Sequence, residues 1–285
     1  MNIHSPFQAL PRVRENSALA VPGAVEFAIQ QLGFEPDEKQ AAVLASNSKR
    51  GILLCSRQWG KSTVSAVKAV HRAATVAGSL VLVASPTERQ SGEWVRKAEE
   101  FVRRLGWKPK GDGANAQSIV FANGSRIGGL PGNEATVRGF SAVSLLLIDE
   151  AARVPDDLYR ALRPMLAVAP SSTAHNGGPS GHLCAPGSNA HNGDPGGDLW
   201  LMSTPFGKRG FFYEEWADGP GWERVTGPAT ECARISAEFL EEERRAQGEK
   251  SFAQEFLCEF TDNGQTMFPR DLVESVMRDD VEPLF

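Results

Sequence analysis

Short apolar runs separated by amphipathic stretches set the outline of this chain. GILLC (51–55), LVLVA (80–84), SLLLIDE (144–150) and LWLMS (199–203) carry the continuous hydrophobicity of strands buried on both faces. From Lys61 to about Ala77, Val64, Val67, Val70 and Ala74 recur at helical spacing, and Gly78 supplies a stop. His71 lies on that helix and reads as a packed or half-exposed helix residue. A long amphipathic helix is expected after SPT (85–87), running through Leu105. FEPDEKQAAVLA (34–45) predicts another, with Pro36 near its first turn and Asp37 and Glu38 at its positive end. SIVFANGSRIGGL (118–130) predicts a hairpin turning at Asn123-Gly124. Strands alternating with helices predict an α/β fold with a mostly parallel sheet flanked by helices. The first 28 or so residues show no clear period and read as an arm or a short leading helix.

Residues 169–198 break the pattern. They are rich in Gly, Pro, Ser and Asn and hold a near-repeat, AHNGGP at 174 and AHNGDP at 190. The expectation is a disordered surface insertion. His175, His182, Cys184 and His191 fall within it, but such flexible spacing is a weak metal signal.

Composition narrows the classes. The 285 residues are 41% hydrophobic and 23% charged, and the net charge of −5 argues against a protein that coats nucleic acid indiscriminately. Charge is uneven, however. Segment 96–110 carries six basic residues, Arg103 and Arg104 among them, against two acidic ones, whereas 229–262 carries nine acidic and four basic. Cysteines 55, 184, 232 and 258 form no CxxC pair and read as reduced thiols. The apolar runs are too short to span a membrane and the N-terminus lacks a signal-peptide core, so a cytoplasmic protein is expected.

The densest chemistry lies in LLCSRQWGKST (53–63). A phosphate-binding loop reads G-x-x-x-x-G-K-[ST]. Gly60, Lys61 and Ser62 fill its closing positions, but Cys55 stands where the opening glycine belongs. The context compensates, because the loop follows an apolar strand and opens a helix whose N-terminus favours anions. Lys61 would neutralise β- and γ-phosphate oxygens, and Ser62 would serve a Mg²⁺ ion. SLLLIDE supplies the second half: Asp149 at the strand end suits the Mg²⁺ shell, and Glu150 is placed to orient or activate water. Ser203 and Thr204, closing LWLMST, would present hydroxyls near the γ-phosphate.

SRQWGKST (56–63), ASPT (84–87), VRGFSAVSLLLIDEAARV (137–154), LWLMSTPFGKRGFFYEEW (199–216) and RISAEFLEEERRAQGEKSFAQEFLCEF (234–260) together resemble the ATPase part of tailed-phage terminase large subunits, over roughly residues 34–268. That family's phosphate loop commonly lacks the first glycine and carries an arginine. The resemblance implies a P-loop NTPase of the additional-strand, RecA-like type, a Mg²⁺-dependent ATPase that drives double-stranded DNA into a capsid. It implies nucleotide contacts from Phe34, Gln40, Ser56, Arg57, Gln58, Trp59, Gly60, Lys61, Ser62 and Thr63. Gln40 would read adenine with Phe34 stacking nearby, and Arg57 would act with Glu150 in catalysis. Ser203 and Thr204 would couple hydrolysis to subdomain rotation, and Arg138 and Gly139 would form a loop ahead of the acidic strand. Implied partners are DNA, with Arg103 and Arg104 as contacts, a small terminase subunit, a portal protein and further copies in a ring.

The expected organisation is an arm or leading helix over 1–30, an ATPase domain over 31–227 and a helical linker over 228–285. The family's ribonuclease-H-like nuclease domain has no counterpart in this sequence, so nuclease activity is not expected. Two alternatives stay open: a truncated prophage remnant that binds nucleotide or partners without packaging, and a helicase-like DNA-dependent ATPase.

Overall fold

A computed structural model describes residues 22–111, 117–130, 132, 137, 139–168 and 196–261. Seven strands form one sheet in the order β3-β4-β2-β5-β6-β1-β7. These are β1 (Arg50–Cys55), β2 (Leu80–Ala84), β3 (Ser118–Val120), β4 (Arg126–Leu130), β5 (Leu145–Asp149), β6 (Asp198–Ser203) and β7 (Glu223–Gly227). All neighbours pair in parallel except β3 and β4, which form the predicted antiparallel hairpin. β6 lies between β1 and β5, so the strand before the phosphate loop and the strand ending in Asp149 are separated by one further strand. That is the additional-strand arrangement.

The apolar runs are explained by burial on both sides. Leu53, Val81, Val83, Leu145, Leu147, Trp200 and Met202 face one core, while Ile52, Leu54, Leu82, Leu146, Ile148, Leu199 and Leu201 face the other. Helices α1 (Ala24–Gln30), α2 (Glu38–Ala45), α3 (Lys61–Thr75) and α4 (Glu88–Arg104) cover the first face. Helices α5 (Asp156–Leu162) and α6 (Gly210–Ala217) cover the second. Two later helices, α7 (Ala237–Gln247) and α8 (Glu249–Leu257), pack around Ala229, Phe252 and Phe256 in a smaller cluster.

Several predicted boundaries move. α2 begins at Glu38, with Asp37 as its N-cap in a reciprocal capping box with Gln40, so Phe34 and Pro36 precede the helix. α3 ends at Thr75, two residues before the expected end at about Ala77. Asp198 opens β6 and belongs to the sheet; residues 169–195 of the expected insertion, with the three insertion histidines and Cys184, lie outside the described residues. β7 was not predicted at all. Among the described residues, Cys55, Cys232 and Cys258 are free and buried, and no helix is long and apolar enough to cross a membrane.

One contact fixes how α2 sits on the sheet. Lys68 is buried, its Nζ donating to the carbonyls of Val43 and Ser46 at the end of α2, 3.0 Å in each case. The same ammonium lies 4.4 Å from the centre of the Trp200 ring. Burial pushes its pKa down to about 8. Trp200 in turn lies over Gly51, its partner across β1 and β6, where a Cβ would come within 2.3 Å of the indole. Gly51→Ala is therefore expected to cost about 1–3 kcal/mol through overpacking. Thermal unfolding should show a Tm lowered by roughly 3–8 °C.

Candidate active site

β1, β5 and β6 end side by side, and the residues that follow them line one cleft of about 590 Å³. At its floor the chain runs straight through Cys55, which is fully buried and pairs with Gly227 of β7. The turn comes later, at Gln58 (φ 63°) and Gly60 (φ 100°). The loop thus needs its left-handed residues at 58 and 60, and position 55 is ordinary strand that a cysteine fills without strain.

Trp59 anchors this turn. Its ring is buried against Gly227, where a Cβ would meet the indole at 2.5 Å. Its carbonyl accepts from Gln40 Nε2 at 2.8 Å and from Arg234 Nη2 at 2.7 Å. Ser56 donates its N–H to Gly227, 2.9 Å away, while its buried hydroxyl has no hydrogen-bond partner among the described residues. Gln40 is buried and committed to the loop, Phe34 lines the cleft while meeting Phe101 edge-on, and Thr63 lies on the cleft wall.

Lys61 opens α3 beneath that turn. Its Nζ sits 3.0 Å from Glu150 Oε1, and Ser62 Oγ donates to Asp149 Oδ2 at 3.1 Å. The hydroxyl and carboxylate are hard oxygen donors that fit magnesium, an ion that usually takes few protein ligands and completes its shell with water and phosphate. Burial lifts the Asp149 carboxyl to about 6, against the pull of Lys61. Because that value lies above the ordinary 3.8, holding Asp149 charged costs stability at neutral pH, and the cost fades as pH falls from about 6 towards 4. Asp149→Asn is expected to raise Tm by about 4 °C at pH 7.5 and to leave it nearly unchanged at pH 4. Calorimetry at the two pH values checks this.

Glu150 follows in the left-handed region (φ 53°, ψ 41°), a strained backbone for a non-glycine residue. Its second oxygen accepts from Arg153 Nη1 at 3.2 Å, and the same nitrogen donates to Thr204 Oγ1 at 2.9 Å. Arg153 also reaches Glu255 Oε1 on α8 at 3.2 Å, and Glu255 Oε2 accepts from Arg57 Nε at 2.7 Å. A continuous chain of charge thus runs Lys61–Glu150–Arg153–Glu255–Arg57. Ser203 is buried beside it, its hydroxyl without a hydrogen-bond partner among the described residues.

Sequence reasoning singled out Lys61, Ser62, Asp149, Glu150, Arg57 and Thr204, and the structure brings these together. It missed Arg153, Glu255 and Arg234. The available signal was charge inside apolar context: Arg153 in AARV and Glu255 in FAQEFL. The two proposed DNA contacts sit apart from the cleft floor. Arg103 is exposed and pairs with Glu99 at 2.8 Å, whereas Arg104 donates to the Leu32 carbonyl at 2.9 Å and lies over Phe101. Lys97, from the same basic run, lines the cleft. Gly139 is described and has a positive φ, while Arg138 lies outside the described residues. Among the described residues no three His, Cys, Asp or Glu converge on a metal site.

The sequence matches no protein-family model and no curated protein. Solved structures do match. The Thermus phage P74-26 large terminase ATPase domain, as an arginine-to-alanine mutant, superposes with a TM-score of 0.64 at 22% identity, covering 82% of this chain and 97% of that one. The fold is that of a phage large-terminase ATPase domain. The large terminase of a thermophilic bacteriophage, in complex with ADP, follows at TM-score 0.61 and 16% identity, over 79% of this chain and 54% of that one. The HK97 bacteriophage large terminase gives 0.55 and 16%, over 82% and 50%. Against those two large terminases the chain spans about half the length.

Proposed function

We propose that this chain is the ATP-hydrolysing motor module of a terminase-type DNA packaging machine. The observation that carries the reading is the convergence of Lys61, Ser62, Asp149 and Glu150 where β1 and β5 end on either side of β6. Such a strand end, with a helix N-terminus beneath it, is where an α/β sheet binds phosphate. The thermophilic bacteriophage's large terminase has been solved in complex with ADP and with ATP-γ-S, which supports nucleotide as the ligand.

In this reading the triphosphate lies over the first turn of α3. Lys61 leaves Glu150 for the β- and γ-phosphate oxygens, and Arg153 keeps the freed Glu150 carboxylate in place. Glu150 then accepts a hydrogen bond from water and aims it at the γ-phosphorus. The new bond forms from the water oxygen to the γ-phosphorus while the bond to the bridging oxygen breaks and ADP leaves, and the proton lost by water passes by way of the Glu150 carboxylate to the phosphate product. Ser62 and Asp149 would hold Mg²⁺, which when bound supplies positive charge to the phosphate oxygens. Arg57 offers terminal nitrogens to the transferring group. Gln40 keeps the loop formed, with Phe34 beside the base.

Coupling has a physical route. Arg153 touches both Glu150 and Thr204, so loss of the γ-phosphate changes a contact on the segment after β6. Double-stranded DNA, a small terminase subunit, a portal protein and a ring of copies in the host cytoplasm belong to this proposal. The test is ATP turnover by the purified chain with and without double-stranded DNA. DNA is expected to raise turnover several-fold, with Arg103→Ala lowering the stimulated rate and sparing the basal one. Turnover indifferent to DNA at low salt would refute translocation and leave the ATPase standing.

A further inference from the structure

The P-loop arginine is held by a helix that arrives some 200 residues later in the chain. Glu255 on α8 takes Arg57 in two ways. Its backbone carbonyl accepts the Arg57 N–H at 3.1 Å, and its carboxylate accepts Arg57 Nε at 2.7 Å. The other carboxylate oxygen receives Arg153. The Glu255 side chain is only 11% exposed, in contrast to 64% for Arg57, which lines the cleft. Arg57 therefore spends Nε on Glu255, while its two terminal nitrogens have no partner among the described residues.

We infer that Glu255 is a positioning residue for hydrolysis: it fixes the Arg57 guanidinium by its inner nitrogen and leaves the outer two for the transferring phosphoryl. The inference rests on the ATPase reading of the cleft and on Arg57 acting there. A guanidinium free to swing would lose rotamer freedom each time it engaged phosphate, and one held at Nε has already lost it. Glu255 also lies between two guanidinium groups. Without its carboxylate, Arg57 and Arg153 face each other as like charges and separate.

α8 gains a role from this arrangement. Phe252 and Phe256 seat it against Ala229, and Phe239 of α7 meets Phe256 edge-on. A displacement of the α7–α8 pair would carry Glu255, and with it Arg57, out of register. Nε-only contact separates this device from an inhibitory clamp, which would occupy the terminal nitrogens.

The test uses the full chain and the variants Glu255→Gln, Glu255→Ala, Arg57→Ala and Arg57→Ala/Glu255→Ala. Two quantities are read: kcat and KM for ATP, and the affinity for ADP with aluminium fluoride relative to ADP alone, which needs no turnover. Both Glu255 variants are expected to lower kcat on the order of 10²-fold, the cost of a misplaced catalytic group, with KM within about threefold. Their preference for the aluminium fluoride complex should fall at least about tenfold while ADP affinity holds. Glu255→Gln preserves volume, and retained ADP affinity in the same preparation guards against a folding defect. Arg57→Ala is expected to cost about 10³-fold, and the double variant no more than Arg57→Ala alone, because the two act through one group. Turnover at or above wild type in the Glu255 variants, or losses that multiply in the double variant, would overturn the inference. If Arg57→Ala loses turnover and the Glu255 variants do not, only this inference falls. Wild-type behaviour of Arg57→Ala sinks both it and the proposed role of Arg57.

Discussion

Glu150→Gln is expected to bind ATP about as tightly as the unaltered chain and to hydrolyse it on the order of 10³-fold more slowly. The substitution keeps the shape of the side chain, and the amide oxygen can still accept from one of the two cations now at the carboxylate, Lys61 or Arg153. What it removes is the negative charge that orients and polarises water, and that charge acts only as the phosphoryl moves. The loss should therefore fall on kcat and spare binding. Phosphate release and the affinity of a fluorescent ATP analogue separate the two. A parallel loss of affinity would make Glu150 a structural counter-ion of Lys61.

Lys61→Ala should behave in the opposite way. Lys61 is a cation whose side chain is nearly buried at the cleft floor, 10% exposed, and it neutralises Glu150 directly and Asp149 nearby. Replacing it removes a charge-assisted contact to phosphate, worth on the order of 10–10² in affinity. It also leaves two adjacent carboxylates without their cation, so Tm at pH 7.5 should fall by roughly 3–6 °C. Lowering the pH towards 5 should recover part of that loss, because Asp149 already titrates near 6 and would rise further without the lysine. Retained ATP affinity in this variant would place the phosphates elsewhere.

Much of this was legible from pattern. The four apolar runs became β1, β2, β5 and β6 because continuous hydrophobicity is what a strand covered on both faces requires. The hairpin was visible in Asn123-Gly124, and Gly124 does take a positive φ. β7 was not visible, since Glu223–Gly227 is an edge strand only partly buried, and its two charged residues followed by two β-branched ones give no alternating pattern. Lys61, Asp149 and Glu150 were readable because each sits beside an apolar strand, within a recognisable short motif. Arg153 and Glu255 carried only the weak local sign of charge in an apolar context, because their partners lie 51 and 102 residues away. Nothing local marks an arginine as a hub. The missing glycine at Cys55 looked like a defect and proved to be a matter of where the turn begins.

The measurement that bears most directly on the central claim is phosphate release from ATP by the purified chain, beside Glu150→Gln in the same preparation. The account predicts saturable release by the unaltered protein and release near background in the variant, with ATP still bound by both. Equal release from the two proteins, or no detectable ATP binding by either, would contradict it.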